Sequence, residues 1–533
     1  MSPALPFTRR FLPLTLSVLV ALLSLPFAPR HPWALALFLA ALALTALGFF
    51  DLLQRRHSLL RNYPVAGHLR FLLEEVRPEI RQYFLESDID GMPFNRTERS
   101  VVYQRAKGQL DKRPFGTELD VNARAFEWLN HSIAPCDPPE EDLRLVIGTR
   151  AAQPYNASIY NISAMSFGAL SANAIRALNR GAFLGRFSHD TGEGGFSVHH
   201  RQGGDIVWEV GSGYFGCRND DGTFNPGRFA EQAREPQVRM VEIKLSQGAK
   251  PGHGGVLPAA KVSAEIAAAR GVPMGRDCIS PARHSAFSTP IGLLEFMARL
   301  SELSGGKPAG FKLCIGHPWE FLGICKAMLQ TGILPDFIVI DGAEGGTGAA
   351  PLEFTDHIGM PLRDGLMFAH NALLGIGVRD RIRLAAAGKI ISAFDIARAM
   401  ALGADWCNAA RGFMFALGCV QSQHCHTDRC PTGVATQNPD RQRAIDIPLK
   451  SERVARFHAT TILALAEVIA AAGISHPRDL RPHHFSRRLS ETEVARFDQI
   501  YRFLAPGELL AGTDDPRYRE TWPMARADSF APA

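Results

Sequence analysis

Near the start of the chain, Phe11 to Ala28 and Trp33 to Phe50 hold no charged residue and are separated by Pro29, Arg30, His31 and Pro32. A helix needs about 20 apolar residues to cross a bilayer, and each run just reaches that length. The pattern predicts a two-helix transmembrane hairpin, with helices over 11–28 and 33–50 inside a segment 1–58. Residues 59–150 read as a charged connecting region with helical spacing from Leu69 to Phe84 and a turn at Gly91-Met92-Pro93. Beyond it, short apolar runs alternate with helical patterns, as in βα units on a parallel sheet. The candidate strands are Ile159 to Ser163, Phe187 to Asp190, Val241 to Leu245, Asp277 to Ser280, Gly310 to Ile315, Phe337 to Asp341, Ile382 to Ala387 and Trp406 to Ala409. They predict an α/β fold, a (β/α)8 TIM barrel over 151–450 with its chemistry on the loops that follow the strands. Residues 451–533 read as a helical extension, amphipathic from Ser451 to Gly473.

Charge orients the hairpin. Arg9 and Arg10 precede it, Arg55, Arg56 and Arg61 follow it, and Arg30 alone sits in the turn. The positive-inside rule then puts both flanks and the main body in the cytoplasm, giving a multi-pass protein of the cell (inner) membrane. Two other readings compete. Thr8-Arg9-Arg10-Phe11-Leu12 resembles a twin-arginine signal, and the pair of runs resembles a buried core hairpin. A cleaved signal needs no second apolar run directly behind it, and a soluble core helix is rarely uncharged for so long, so the hairpin is preferred.

With 46% hydrophobic and 21% charged residues the chain has the composition of a folded protein. A net charge of +5, with no basic stripe interleaved with aromatics, excludes a nucleic-acid footprint. The nine cysteines are too dispersed for a disulfide framework and fit a reducing compartment. Three of them, Cys419, Cys425 and Cys430, fall in one stretch, 419–430, with Pro431 behind it. Thiolates so spaced on an irregular loop can converge on one centre. Three ligands fit a 3Fe-4S cluster, and a zinc site completed by His424 or His426 is the rival.

Two glycine-rich loops add to this. Asp341-Gly342-Ala343-Glu344-Gly345-Gly346-Thr347-Gly348 follows an apolar strand and lets backbone N–H groups approach a phosphate or a flat ring; alone it could equally be a tight turn. With Gly388 after the seventh strand and Arg411-Gly412 after the eighth, where barrels commonly hold phosphate, it points to a phosphorylated cofactor such as FMN. Lys312 on the fifth strand is either a charge beside the flavin ring or an ordinary snorkelling lysine. The second loop, Lys244 to Gly255, placed after the third predicted strand, carries Gln247 and Lys250; with Arg270 one helix on, these are candidate carboxylate ligands. Taken alone, Arg270 reads as a solvated charge at a helix end.

Five segments appear together in the order found in the FMN-binding glutamate synthase family. They are Ser163 to Ser171, Thr191-Gly192-Glu193-Gly194-Gly195, Gln247 to Gly252, Gly345 to Ala349 and the triple-cysteine loop. The chain resembles that family from about Tyr155 to Gln437, and Pro93 to Arg96 through Pro114 to Thr117 resembles its short bacterial branch. The resemblance implies an oxidoreductase acting on CH-NH2 donors that forms L-glutamate from 2-oxoglutarate and ammonia through 2-iminoglutarate. It implies FMN at Met165, Ser166, Lys312, Gly345, Gly346, Thr347, Gly388, Arg411 and Gly412. It also implies a 3Fe-4S cluster on Cys419, Cys425 and Cys430, and substrate carboxylates held by Gln247, Lys250 and Arg270. Because the chain opens on the hairpin, no glutaminase domain is expected, and ammonia is expected free or from a delivering partner. Electrons are expected from a ferredoxin or a separate reductase subunit, and the membrane lipid is a further partner. Two positions depart from the family pattern: His253 stands where a glutamate is usual, and Ala387-Gly388 replaces a Gly-Gly pair. The alternatives are an FMN/iron-sulfur oxidoreductase of another 2-oxo or 2-imino acid, and a membrane-bound electron-transfer subunit.

Overall fold

The computed structural model describes residues 9–139 and 143–533, so Thr8 of the twin-arginine-like run lies outside it. Two compact units are present, one reaching to Asn95 and one spanning Arg96–Ala533.

In the first unit the helix Leu12–Ser24 is shorter than the apolar run that predicts it. Pro26 lacks an N–H and crowds the residue before it, so the helix stops and hydrogen-bonded turns carry the chain to His31. Pro32–Leu53 is a full helix of 22 residues with mean hydropathy 2.2, long and apolar enough to cross a membrane. It lies against Leu12–Ser24, with Thr45 Oγ1 donating to Ser17 Oγ at 3.1 Å.

The second unit is built on a closed barrel of parallel strands. They are β1 (Tyr160–Ile162), β2 (His189–Asp190), β3 (Ile206–Val210), β4 (Val238–Lys244), β5 (Ala309–Leu313), β6 (Phe337–Asp341), β7 (Arg383–Ala387) and β8 (Trp406–Ala409). β8 pairs with β1 through Cys407 and Tyr160 and closes the ring. The (β/α)8 barrel is therefore as expected, with one exchange of membership. Ile206–Val210 is the third strand, and Cys278–Ile279 belongs to a small antiparallel hairpin with Val256–Leu257. The loop carrying Gln247 and Lys250 accordingly follows the fourth strand.

Glu209 explains why β3 hides from pattern reading. All five of its residues are buried, and a carboxylate in the middle breaks the apolar run. Inside the barrel Glu209 pairs with Lys312, and Lys312 Nζ also lies 3.3 Å from Glu242 Oε1. Asp190 joins this cluster, its carboxylate oxygen within 4.8 Å of those of Glu209 and Glu242. Burial raises the carboxyls of Asp190 and Glu242 above the usual range.

Ile447–Ala471 is also long and apolar enough to span a bilayer, yet its apolar residues Val454, Phe457, Leu465 and Ile469 are buried in this unit. It packs on the Ala172–Gly185 helix, where a Cβ at Gly181 would overlap Val454. Further along, Phe485–Arg488 and Val494–Arg496 join Glu127–Leu129 in a three-stranded sheet, and Tyr518 stacks on Phe368 at 5.0 Å.

Candidate active site

The site grows from loops at the C-terminal ends of the strands. After β1, Met165 is buried, and Ser166 Oγ accepts from Arg270 Nη2 at 3.4 Å. The same guanidinium donates to the Phe167 carbonyl at 3.0 Å and lies over the Phe215 ring, and its buried Nε has no hydrogen-bond partner among the described residues. After β2, Gly192 adopts φ +61° with its Cα face on the Ser166 amide, so no side chain fits there.

Between these loops stands Glu193, a residue to which sequence reasoning assigned no role. Lys244 Nζ bridges Glu193 Oε2 at 3.0 Å and Gln247 Oε1 at 2.7 Å. Burial would raise the Glu193 carboxyl, but Lys244, then Arg270 and Lys250, hold it down to about 2. Lys250 is buried, donates to the Ala349 carbonyl at 3.2 Å, and is lowered from its ordinary value by burial. The three predicted carboxylate ligands thus do gather, around a carboxylate of the protein itself. Beside them lies a small, open cleft lined by Glu193, Lys244, Gln247 and His253. A signal for Glu193 existed: it is the one acid in an otherwise small-residue loop.

The predicted cofactor positions divide. Gly345, Gly346 and Thr347 form one rim after β6, and Gly346 faces the Arg411 side chain, whose Nη2 donates to the Glu344 carbonyl at 2.7 Å. Burial brings Arg411 down to about 10, against Asp341 and Glu344. Gly388, at φ +149°, lies near Leu362 and Glu344. Gly412 has Ile391 and the Tyr160 hydroxyl beside its Cα. Lys312 stays inside the barrel, its ammonium committed to Glu209 and Glu242. The β4 and β6 loops interlock: Gly248 N donates to Asp341 Oδ2 at 2.9 Å, and a Cβ at Gly248 would overlap the Gly342 carbonyl. Gly248→Ala is expected to cost about 1–3 kcal/mol, because a backbone oxygen cannot swing aside, and a lower Tm checks it.

The cysteine loop leaves the Arg411–Leu417 helix at Gly418 and winds tightly, with Gln421, Gln423 and Asp428 left-handed at φ 56°, 59° and 61°. Tyr103 donates to the Cys419 carbonyl at 2.6 Å. Burial pushes the Cys419 thiol up to about 12 and raises that of Cys425. Burial opposes ionisation of Cys430 too, but backbone N–H groups of Ala435, Thr432 and Val434 bring it below its ordinary value. His424 and His426 are exposed. Two residues moor this loop to the β1 loop. Lys261, buried, donates to the carbonyls of Ala169 at 2.8 Å and Cys425 at 3.2 Å; Gln437 Nε2 donates to those of Gly168 and Leu170 at 2.9 Å.

This succession of loops has counterparts in known proteins: residues 140–475 match the family described as the conserved region in glutamate synthase. The chain belongs to the glutamate synthase family, whose members are oxidoreductases. It is 34% identical over 496 residues to the glutamate synthase large subunit-like protein YerD of Bacillus subtilis, covering 85% of this chain and 94% of that one. It is 35% identical over 327 residues to the archaeal glutamate synthase (NADPH) of Methanocaldococcus jannaschii, covering 60% of each. The archaeal-type relative of Thermotoga neapolitana is 34% identical over 322 residues, again 60% of each chain. The chain thus spans about 60% of the length of these two archaeal and archaeal-type proteins.

Proposed function

We propose that the protein forms L-glutamate reductively from 2-oxoglutarate by way of 2-iminoglutarate, with FMN and an iron-sulfur cluster as redox groups. The observation that carries this reading is the gathering of Lys244, Gln247, Lys250 and Arg270 around Glu193 at the barrel mouth, within a glutamate synthase framework. Two carboxylates and an imine need cations and hydrogen-bond donors on one side and a place for positive charge on the other. Lys250 and Gln247 suit the carboxylates, and Glu193 suits an iminium nitrogen. Holding the carbon to be reduced in one orientation is worth several kcal/mol of barrier.

The residues fit both groups. Gly345 and Gly346 keep a side-chain-free rim beside buried Arg411, which suits a phosphate and a flat ring. Bound there, FMN supplies hydride transfer. For the metal, a zinc site would need His424 or His426 as its fourth ligand, and both are exposed, which favours a 3Fe-4S centre on Cys419, Cys425 and Cys430 that would pass single electrons. Ammonia, free or from a delivering partner, and a ferredoxin or separate reductase complete the reaction. The hairpin, in this reading, holds the protein on the inner membrane with the barrel in the cytoplasm.

His253 motivates a second reading, since it lines the cleft and meets Phe354 edge-on at 5.1 Å. A different 2-oxo acid would then be the substrate. Purified in detergent under anaerobic conditions, the protein should show flavin and iron-sulfur absorption and make glutamate from 2-oxoglutarate, ammonia and an artificial reductant. Colourless, zinc-containing material would refute the proposal, and faster turnover of another acid in a keto-acid panel would favour the second reading. Lys261→Met tests the mooring of the cysteine loop. Loss of a buried cation beside the cluster should lower its midpoint potential, by about 59 mV if the oxidised-to-reduced ratio shifts tenfold. Potentiometric titration followed by electron paramagnetic resonance reads this out.

A further inference from the structure

We infer that the Ala66–Ile80 helix, with its continuation to Leu85, lies in the membrane–water interface with its apolar stripe covered by lipid acyl chains. The inference rests on the reading of Pro32–Leu53 as a membrane span and extends it to a second kind of lipid contact.

The stripe is in the sequence. Leu69, Leu72, Leu73, Val76, Ile80 and Phe84 recur at helical spacing and occupy one face of about 120°, while Arg70, Glu74, Glu75, Arg77 and Arg81 take the others. In the structure these six apolar side chains are 37–82% exposed, while Phe71, off the stripe, meets His57 edge-on at 5.9 Å. An uncovered stripe of this size on a structured helix is a surface awaiting a partner.

The seat of the helix identifies the partner. Asp51, fully buried at the end of Pro32–Leu53, accepts from the Val65 amide at 2.9 Å and from His68 Nε2 at 2.9 Å. Gly67 lies against Leu60, where a Cβ would come within 2.8 Å of Cδ2. The first turn is thereby fixed to the cytoplasmic end of the apolar helix, at headgroup depth if that helix spans. From there a helix of about 20 residues extends some 30 Å, with its apolar side uncovered. Arg55, Arg56 and Arg61, on the segment between the two helices, supply cations for anionic headgroups at the same level. Helices of this design embed their apolar face at the boundary between headgroups and acyl chains.

The full-length chain, carrying the photoreactive residue p-benzoylphenylalanine at Leu72, Val76 or Phe84 and, in separate preparations, at Arg70 or Glu75, is placed in vesicles of mixed zwitterionic and anionic lipid and irradiated. Several-fold more lipid adduct at Leu72, Val76 and Phe84 than at Arg70 and Glu75 is expected by mass spectrometry. Adducts to a second copy or to another part of the chain at those positions overturn the inference, and so does a flat, low pattern. An alkaline carbonate wash separates the two levels. If the wash strips the chain from the vesicles, the spanning reading fails and the inference fails with it. If the chain resists the wash while the adduct pattern is flat, the interfacial helix alone fails.

Discussion

In the proposed reaction, Lys250→Met is expected to lower kcat/KM for 2-oxoglutarate by about 10²–10³-fold, without changing the flavin or iron content that the proposal calls for. The ammonium is already buried and preorganised, and it donates to the Ala349 carbonyl, a neutral acceptor that a carboxylate readily outcompetes. Removing a desolvated charge partner costs about 2–5 kcal/mol, and each 1.4 kcal/mol is tenfold in rate. Steady-state kinetics with excess ammonia reads the loss, and Lys250→Arg should recover part of it. Wild-type kcat/KM in the methionine variant would remove Lys250 from the substrate site.

The second large effect is acid sensitivity. Four histidines are held neutral by burial: His189, His370 and His458 are brought down to about 3 and His284 to about 4. Their folded-state values lie below the unfolded value of about 6.5, so as pH falls through 6.5 the unfolded chain takes up protons that the folded chain refuses. Stability therefore drops with pH, by about 1.4 kcal/mol per pH unit for each histidine, until the folded values are reached near pH 3–4. Between pH 6.5 and 5 the four together amount to about 6 kcal/mol, comparable with the whole stability of many domains. Thermal unfolding followed from pH 7.5 to 5 should show a steep fall in Tm. His189→Leu, at a ring with neither nitrogen hydrogen-bonded among the described residues, should shallow that slope by one proton's share. A Tm that stays level across the range would contradict the assignment.

Much of the architecture was legible because parallel strands buried on both faces read as continuous apolar runs, as Phe337 to Asp341 and Trp406 to Ala409 do. The exception is instructive. Ile206–Val210 carries Glu209 at a core position, tolerable only because Lys312, a hundred residues away, supplies the opposite charge. No local pattern contains that pairing. Asp277 to Ser280 erred the other way, a short apolar pair between polar ends that forms a hairpin outside the barrel. At the site, the cysteine spacing and the glycine loops were visible as motifs. Glu193 stood out only as the acid of a small-residue loop, and Lys261 not at all, since each acquires its role from partners on distant loops. Pro26, present in the sequence all along, shortens the first helix by ending its hydrogen-bond ladder.

The interlocked β4 and β6 loops also bear on how this framework can diverge. With the Gly248 backbone seated on the Gly342 carbonyl, not even a methyl group can be added at that junction without pushing the two loops apart. His253, further along the same loop, lines the cleft and meets Phe354 edge-on away from that junction, so a change there leaves the seam between the two loops untouched.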